Sequence, residues 1–389
     1  MKILVATYTY LPYANGVAHA AHQMVDHFRS AGHEVAVVTS RTDSEAESSN
    51  SMDDDEVTRF RISGSPAWGD GFSGETRAYQ AFLRSFDPDI IIFHCWNTWT
   101  SELAGFCIGR LRPKTVLCSH GYASHRLDMK LLPRGIRKWL CWLPHHATLP
   151  WRIRKFDKVT FLSFKTDLDR FFDAWVAKVF HCRNTMVIPN GIDTKGWDSI
   201  QADFRQKHGL GGGVLFLHVA NYATIKNQKM ALDAFLQAGV SGAILVFIGT
   251  SLGPYGSYVQ DAWQLVKDKH PDLEVHFIQE LPRDQVISAI RSCDVAILSS
   301  VSECQPLSLL EAMACGKPFI STNVGCVSEF EGGFVVRNAQ GMATQMRRLA
   351  SDSNKRARLG AEGKQCFAAR YCADVTGAQW LELLDELSV

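Results

Sequence analysis

Two glutamates, Glu303 and Glu311, stand in the stretch "SECQPLSLLEAMACGKPFIST", in a run that is otherwise almost uncharged. Pro306 suits the first turn of a helix, where its missing N–H is no loss. Leu307, Leu309, Leu310, Ala312, Met313 and Ala314 cover every side of that helix, so burial is expected. Gly316 can end it in the left-handed conformation, and Phe319-Ile320 reads as a buried strand. Glu311 is then a carboxylate in the middle of a buried apolar helix, which is costly unless something hydrogen-bonds to it. Glu303 lies on the loop leading in. A glycosidase pair would need a nucleophile about 5 Å from an acid; these two carboxylates suit the binding of hydroxyl groups better.

The elements around them follow a rhythm. "KILVAT", "EVAVVTS", "DIIIFHCW", "KTVLCSHG" and "KVTFLS" are short apolar runs, each followed by a loop and a helical pattern. After "VIPNGIDTKGW" and Gly211-Gly212-Gly213 the rhythm resumes with "VLFLHVAN", "AILVFIGT", "LEVHFIQE", "DVAILSS" and "KPFIST". This pattern predicts an α/β fold of two doubly wound, Rossmann-like domains facing across a cleft. The expected boundaries are 1–190, a linker at 191–212, and 213–371. The last helical stretch, 372–389, fits packing on either domain. The length of 389 residues with 46% hydrophobic content supports two cores.

Net charge is +1, from 41 basic and 40 acidic residues, so no whole-chain electrostatic argument for nucleic acid holds. No run of about 18 apolar residues predicts a spanning helix, and "MKILVATYTYLP" reads as a first strand. The 11 cysteines include no CxxC pair, which fits a reducing compartment and thiols in core or loops. Neither Cys304, Cys315 and Cys326 nor the pairs His19/His22 and His145/His146 have metal-ligand spacing. Residues 43–56, with Asp53-Asp54-Asp55, read as a solvated loop rather than a metal-binding DxD motif. No G-x-G-x-x-G follows the first strand, which argues against a dehydrogenase.

With these residues assembled, the sequence resembles glycosyltransferase family 4, retaining enzymes of the GT-B fold. The two glutamates resemble that family's E-x7-E signature; "EAMACGKPFIST", "DVAILSSVSE", "VIPNGID" and "LPYANGVAHAAHQMVDHFRSAGHEVAVVTS" resemble the segments around it. The resemblance spans nearly the whole chain and is most specific in the C-terminal half. It implies that Glu311 binds the ribose hydroxyls of a nucleotide-sugar donor and that Glu303 touches the donor sugar. Lys226, in "VANYATIKNQ", would lie on the diphosphate, with helix-start N–H groups beside it. Gly16 would approach the phosphate closely, and His120, in "CSHG", would lie beside the transferred sugar. Three positions depart from the family pattern. Asn221 replaces its usual arginine. Asn15-Gly16 replaces its double glycine, Asn being tolerant of the left-handed region. Cys304 and Pro306 replace its glycines, which leaves Leu307 and Ser308 as the phosphate amides.

The resemblance implies retention of anomeric configuration by same-face attack, with domain closure excluding water. It implies no cofactor and no metal, because lysine and helix dipole can neutralise the diphosphate. UDP is the nucleotide by family habit. The acceptor would be a glycan or lipid-linked molecule in surface polysaccharide or glycolipid synthesis, and the location cytoplasmic or peripheral on the inner membrane face. Two other classes stay open: a nucleotide-sugar epimerase on a similar scaffold, and a non-catalytic nucleotide-sugar-binding protein.

Residues 126–158 carry a local basic bias, with Trp139, Trp142 and Trp151 interleaved and Ile136, Trp139, Leu140 and Leu143 at helical spacing. One reading is an amphipathic element on an anionic membrane; the other is a helix packed on the N-terminal core. Nucleic acid is a poorer third.

Overall fold

The computed structural model describes residues 1–12, 15–41, 56–67, 70–105, 108, 112–122, 134–166 and 170–388. The expected acidic loop, apart from Glu56, and the start of the basic stretch, 126–133, lie outside them. The chain divides into two compact units, Met1–Gly191 with Thr376–Val389, and Ile192–Val375.

The first unit runs β1 (Lys2–Ala6), α1 (Gly16–Ser30), β2 (Glu34–Ser40), β3 (Val57–Phe60), β4 (Ile62–Ser65) and β5 (Gly71–Gly74). It continues α2 (Thr76–Ser85), β6 (Ile90–His94), α3 (Trp99–Ala104), β7 (Lys114–Cys118), α4 (Arg134–Lys155), β8 (Lys158–Phe161), α5 (Phe172–Val179) and β9 (Thr185–Val187). Among the described residues the sheet order is β3-β2-β1-β6-β7-β8-β9. Every pair in it is parallel, and β4 and β5 form a separate antiparallel hairpin.

The second unit runs α6 (Phe204–Lys207), β10 (Leu215–Val219), α7 (Gln228–Ala238), β11 (Ile244–Gly249), α8 (Gly253–Gln264), β12 (Glu274–Gln279) and α9 (Arg283–Ser292). Then come β13 (Val295–Leu298), α10 (Leu307–Ala314), β14 (Phe319–Thr322), β15 (Gly333–Val336), α11 (Ala339–Ser351) and α12 (Ser353–Arg370), after which α13 (Ala373–Ser388) returns the chain to the first unit from Thr376. The sheet order of the second unit is β12-β11-β10-β13-β14-β15, again parallel throughout.

Helices cover both faces of such sheets, so the central strands need continuous apolar runs. Ile3, Leu4 and Val5 of β1 and Leu245, Val246 and Phe247 of β11 are fully buried. Beside β1, α1 buries Ala21, Val25 and Phe28, one stripe at helical spacing. Trp380, Leu383, Leu384 and Leu387 of α13 join the same core, so the C-terminal helix completes the first unit. The stretch expected as a linker packs into the second unit beyond Gly191. Phe204 is buried there, and Arg205 pairs with Asp294 at 2.6 Å and donates to the carbonyls of Gly211 and Gly213.

In both sheets the chain first builds outward on one side and then crosses to the other. The crossings fall between β1 and β6 and between β10 and β13. Ligands of open parallel sheets bind outside the carboxyl ends of the strands at such switch points.

Candidate active site

In the second unit, β10 and β13 pair in the register Phe216↔Val295 and Leu217↔Ala296, so the loops after them emerge side by side. Val301 N–H donates to Ile225 C=O at 2.8 Å and ties one loop to the other. Beneath them Ser299 Oγ lies 3.0 and 2.9 Å from the carbonyl oxygens of Lys226 and Asn227, and 3.0 Å from His218 Nε2. Burial, then the charge of Lys226, pushes His218 down to about 4, so this support is neutral above that pH.

The outcome is a contact between two residues expected to act separately on the donor. Lys226 Nζ lies 2.6 Å from Glu303 Oε1, and Ser300 Oγ donates to the same oxygen at 2.8 Å. Glu303 is 14% exposed at its side chain and Lys226 28%, so the pair is sheltered but open to a ligand. Gly325, after β14, holds the Glu303 backbone. Its φ is +51°, and a Cβ there would stand 2.1 Å from Cys304 O and 2.7 Å from Glu303 O. Asn221 is exposed; its Oδ1 accepts from Thr250 Oγ1 at 3.2 Å and its carbonyl from Gln228 Nε2 at 3.0 Å. No described hydrogen bond joins it to Lys226 or Glu303.

Pro306 is the N-cap of α10, at φ −74° and ψ 109°, and not part of its first turn. Its carbonyl accepts from the N–H groups of Leu309 and Leu310. Leu307 and Ser308 are the first two helical residues, and no helical carbonyl is positioned for their N–H groups. At the other end Gly316, at φ +65°, closes a Schellman motif: Gly316 N–H donates to Met313 O and Lys317 N–H to Ala312 O, both at 2.9 Å.

Glu311 is buried at 6% exposure on α10, as its apolar neighbours require. The expectation that a ligand alone would satisfy it is corrected. Arg283, the first residue of α9, pairs its guanidinium with Glu311 Oε1. α9 packs beside α10, and the long arginine reaches across while staying half-exposed, 5.8 Å over the Trp197 ring.

In the first unit, Gly16 is the first residue of α1, on the segment that follows β1. Asn15 is not left-handed as expected. At φ −128° and ψ 167° it is an extended N-cap whose side chain accepts from Ala18 N–H at 2.9 Å. That bond decides its conformation, because a capping residue needs extended dihedrals.

His120 follows β7. The β6–β7 register sets His94 against Cys118, and the chain turns so that His120 Nε2 lies 3.0 Å from His94 Nδ1 and 3.6 Å from Cys118 Sγ. The turn is anchored by Ser119, whose hydroxyl donates to the buried Asp173 Oδ2 at 2.5 Å; Trp96 Nε1–H donates to the same oxygen at 2.8 Å. Burial holds His94 well below the usual histidine range and His120 at about 4, and pushes the Cys118 thiol up to about 12. The three ligating atoms lie within 4.8 Å of one another, a grouping that sequence spacing did not reveal.

Glu303, Lys226, Glu311, Leu307 and Ser308 therefore gather at the carboxyl end of the second sheet, and His120 and Gly16 at that of the first. Arg283, Gly325 and His94 are additions from the structure. None carried a sequence signal, since each matters through a contact between distant segments.

The chain belongs to the glycosyltransferases and has a GT-B fold. Residues 14–195 match the family model described as Glycosyltransferase Family 4 and residues 200–366 that described as Glycosyl transferases group 1. A curated relative, the N-acetyl-alpha-D-glucosaminyl L-malate synthase of Bacillus anthracis, is 27% identical over 173 residues, 43% of this chain and 44% of its own length. Among solved structures, sucrose-phosphate synthase from Thermosynechococcus elongatus superposes with a TM-score of 0.77 at 18% identity, covering 99% of this chain and 98% of that one. Anabaena HepE in complex with UDP-glucose gives 0.71 at 16% identity, covering 99% and 100%.

Proposed function

We propose that the chain transfers a sugar, with retention of configuration, from a nucleotide-diphosphate donor, a UDP-sugar, to a glycan or lipid-linked acceptor. The observation that carries this reading is the Lys226–Glu303 pair, on adjacent loops at a switch point, with Glu303 four residues before the first amide of α10. An ammonium has three donors; with one on Glu303, the others serve the diphosphate together with the N–H groups of Leu307 and Ser308. Glu303 takes hydroxyls of the donor sugar, and Glu311, whose Oε1 is paired with Arg283, takes those of the ribose through its other oxygen. His120 meets the transferred sugar, Gly16 approaches the phosphate, and Asn221 leaves the diphosphate to Lys226.

In the transfer the bond from the anomeric carbon to the diphosphate oxygen breaks, and the acceptor oxygen bonds that carbon from the same face. The departing diphosphate takes the acceptor's proton. Negative charge grows on the leaving oxygen, where Lys226 and the helix amides stabilise it. No metal is needed for this charge balance.

The surface of α4 supports a membrane-bound acceptor. Ile136, Leu140, Leu143 and Trp151 form an outward stripe, 44%, 46%, 41% and 65% exposed, and Arg154 and Lys155 lie exposed at its end. The proposed partner is an anionic bilayer on the cytoplasmic side; no described helix is long and apolar enough to cross one. The reading is tested by incubating the chain with radiolabelled UDP-sugars and a lipid extract, in chelator. Transfer that Glu303→Gln abolishes supports it. Tight donor binding without transfer to any acceptor would replace it with the non-catalytic reading, and isomerisation of the donor alone with the epimerase.

A further inference from the structure

The short contact between His120 and His94 contains one proton, and the surroundings decide which ring owns it. A neutral imidazole has one N–H and one bare nitrogen. If His120 Nε2 carried the proton, His94 Nδ1 would accept it and His94 would hold its own proton on Nε2. His94 Nε2 is buried and has no partner among the described residues. That arrangement would strand an N–H donor inside the unit, the rarer kind of orphan. If His94 Nδ1 carries the proton, it donates to a bare His120 Nε2, and only a lone pair on His94 Nε2 is left unmet.

The other neighbours point the same way. The Cys118 sulfur, 3.6 Å from His120 Nε2, is a thiol whose S–H can serve as a weak donor to a bare nitrogen there. His120 as a whole is half-buried, and its Nδ1 is not among the buried side-chain nitrogens left without a partner, so an N–H there is not stranded. A cation held by His94 Nδ1, His120 Nε2 and Cys118 Sγ would bring back the difficulty. It would drive the His94 proton onto the buried Nε2, where a metal-bound histidine needs an acceptor.

We infer that His94 is a positioning residue that holds His120 as its Nδ1–H tautomer, so that His120 presents a hydrogen-bond donor to an oxygen of the bound ligand. The identity of that oxygen as a sugar hydroxyl rests on the proposed function; the tautomer does not. In this state His120 recognises and orients a hydroxyl through its lone pair and is not the base that removes the acceptor's proton.

The test is long-range 15N–1H NMR of the ligand-free full chain labelled at histidine, with His120 assigned by its loss in His120→Gln. The expected spectrum has a protonated Nδ1 and a bare Nε2 at His120 at neutral pH. His94→Asn puts an amide donor in place of His94 Nδ1 and should keep that tautomer. His94→Leu removes the donor and should let both tautomers exchange, with thermal melting confirming that each variant is folded. A protonated Nε2 in the wild type overturns the inference. So does an unchanged tautomer in His94→Leu, or one equivalent of Zn2+ bound by wild type and not by Cys118→Ser. A loss of transfer activity would bear on the proposed function and leave these spectra as they are.

Discussion

Lys226 Nζ stands 2.6 Å from Glu303 Oε1, although 77 residues separate them in the chain. Pairing of β10 with β13 brings their loops together, and Ser299 and Ser300 hold the two backbones and the carboxylate in place. The first prediction follows from that contact. Lys226→Ala should lower transfer on the order of 10²–10³-fold, the usual loss for one donor aimed at a developing anion. Melting temperature should fall far less than activity, because Ser300 Oγ still donates to the Glu303 carboxylate. Steady-state transfer kinetics beside thermal melting check this.

Arg283 and Glu311 form an ion pair of unequal burial, 49% exposed on one side and 8% on the other. Arg283→Ala leaves the buried carboxylate without that partner and should cost about 1–3 kcal/mol of stability. The double variant Arg283→Ala/Glu311→Gln should recover part of the loss, since no charge is then left buried. Urea unfolding of the two variants and the wild type checks both statements.

Gly325→Ala should displace Glu303. A methyl group there collides with two carbonyl oxygens, and the left-handed backbone itself costs about 1–3 kcal/mol for a residue that resists it. Transfer should fall by more than melting alone accounts for, and the ratio of activity to folded fraction is the quantity to measure.

Stability should fall with acid below neutrality. His120 and His218 have folded-state values near 4, below the unfolded histidine value of about 6.5. Between these limits the unfolded chain binds more protons than the folded one, so stability is full above about 6.5 and is lost as pH falls toward 4. Each such group steepens the slope by up to about 1.4 kcal/mol per pH unit. His218→Gln should give a shallower slope in denaturation midpoints recorded across that window.

The outward stripe of α4 should bind vesicles containing anionic phosphatidylglycerol and leave neutral phosphatidylcholine vesicles alone. Leu140→Glu with Trp151→Glu should release the chain into the supernatant in sedimentation, with transfer to a soluble acceptor unchanged.

Sequence patterning captured the strands buried on both faces, such as β1, β6, β11 and β13, and also β12, the longest of the edge strands. The edge strands β3 and β15 and the short β9 escaped it, as did the β4–β5 hairpin. "VTRF", "TMV" and "GFVV" are short and partly exposed, so they lack a continuous apolar run, and "ISGS" pairs with "GFSG" without one. The site divides in the same way. Glu311 was legible because a charge interrupts an apolar helix. Arg283 was not, because it begins an ordinary amphipathic helix and acts only through the neighbour it reaches. The outward turn of Ile136, Leu140 and Leu143 was equally hidden, since helical spacing shows that a stripe exists and not which way it faces.

The most direct test of donor binding by Lys226 and Glu311 is calorimetric titration of UDP into the wild type, Lys226→Ala and Glu311→Ala. The account predicts binding by the wild type at one site per chain, weakened at least tenfold in each variant, with GDP, ADP and CMP binding less tightly. Equal UDP affinity in all three proteins, or no affinity for any of the four nucleotides, would contradict it.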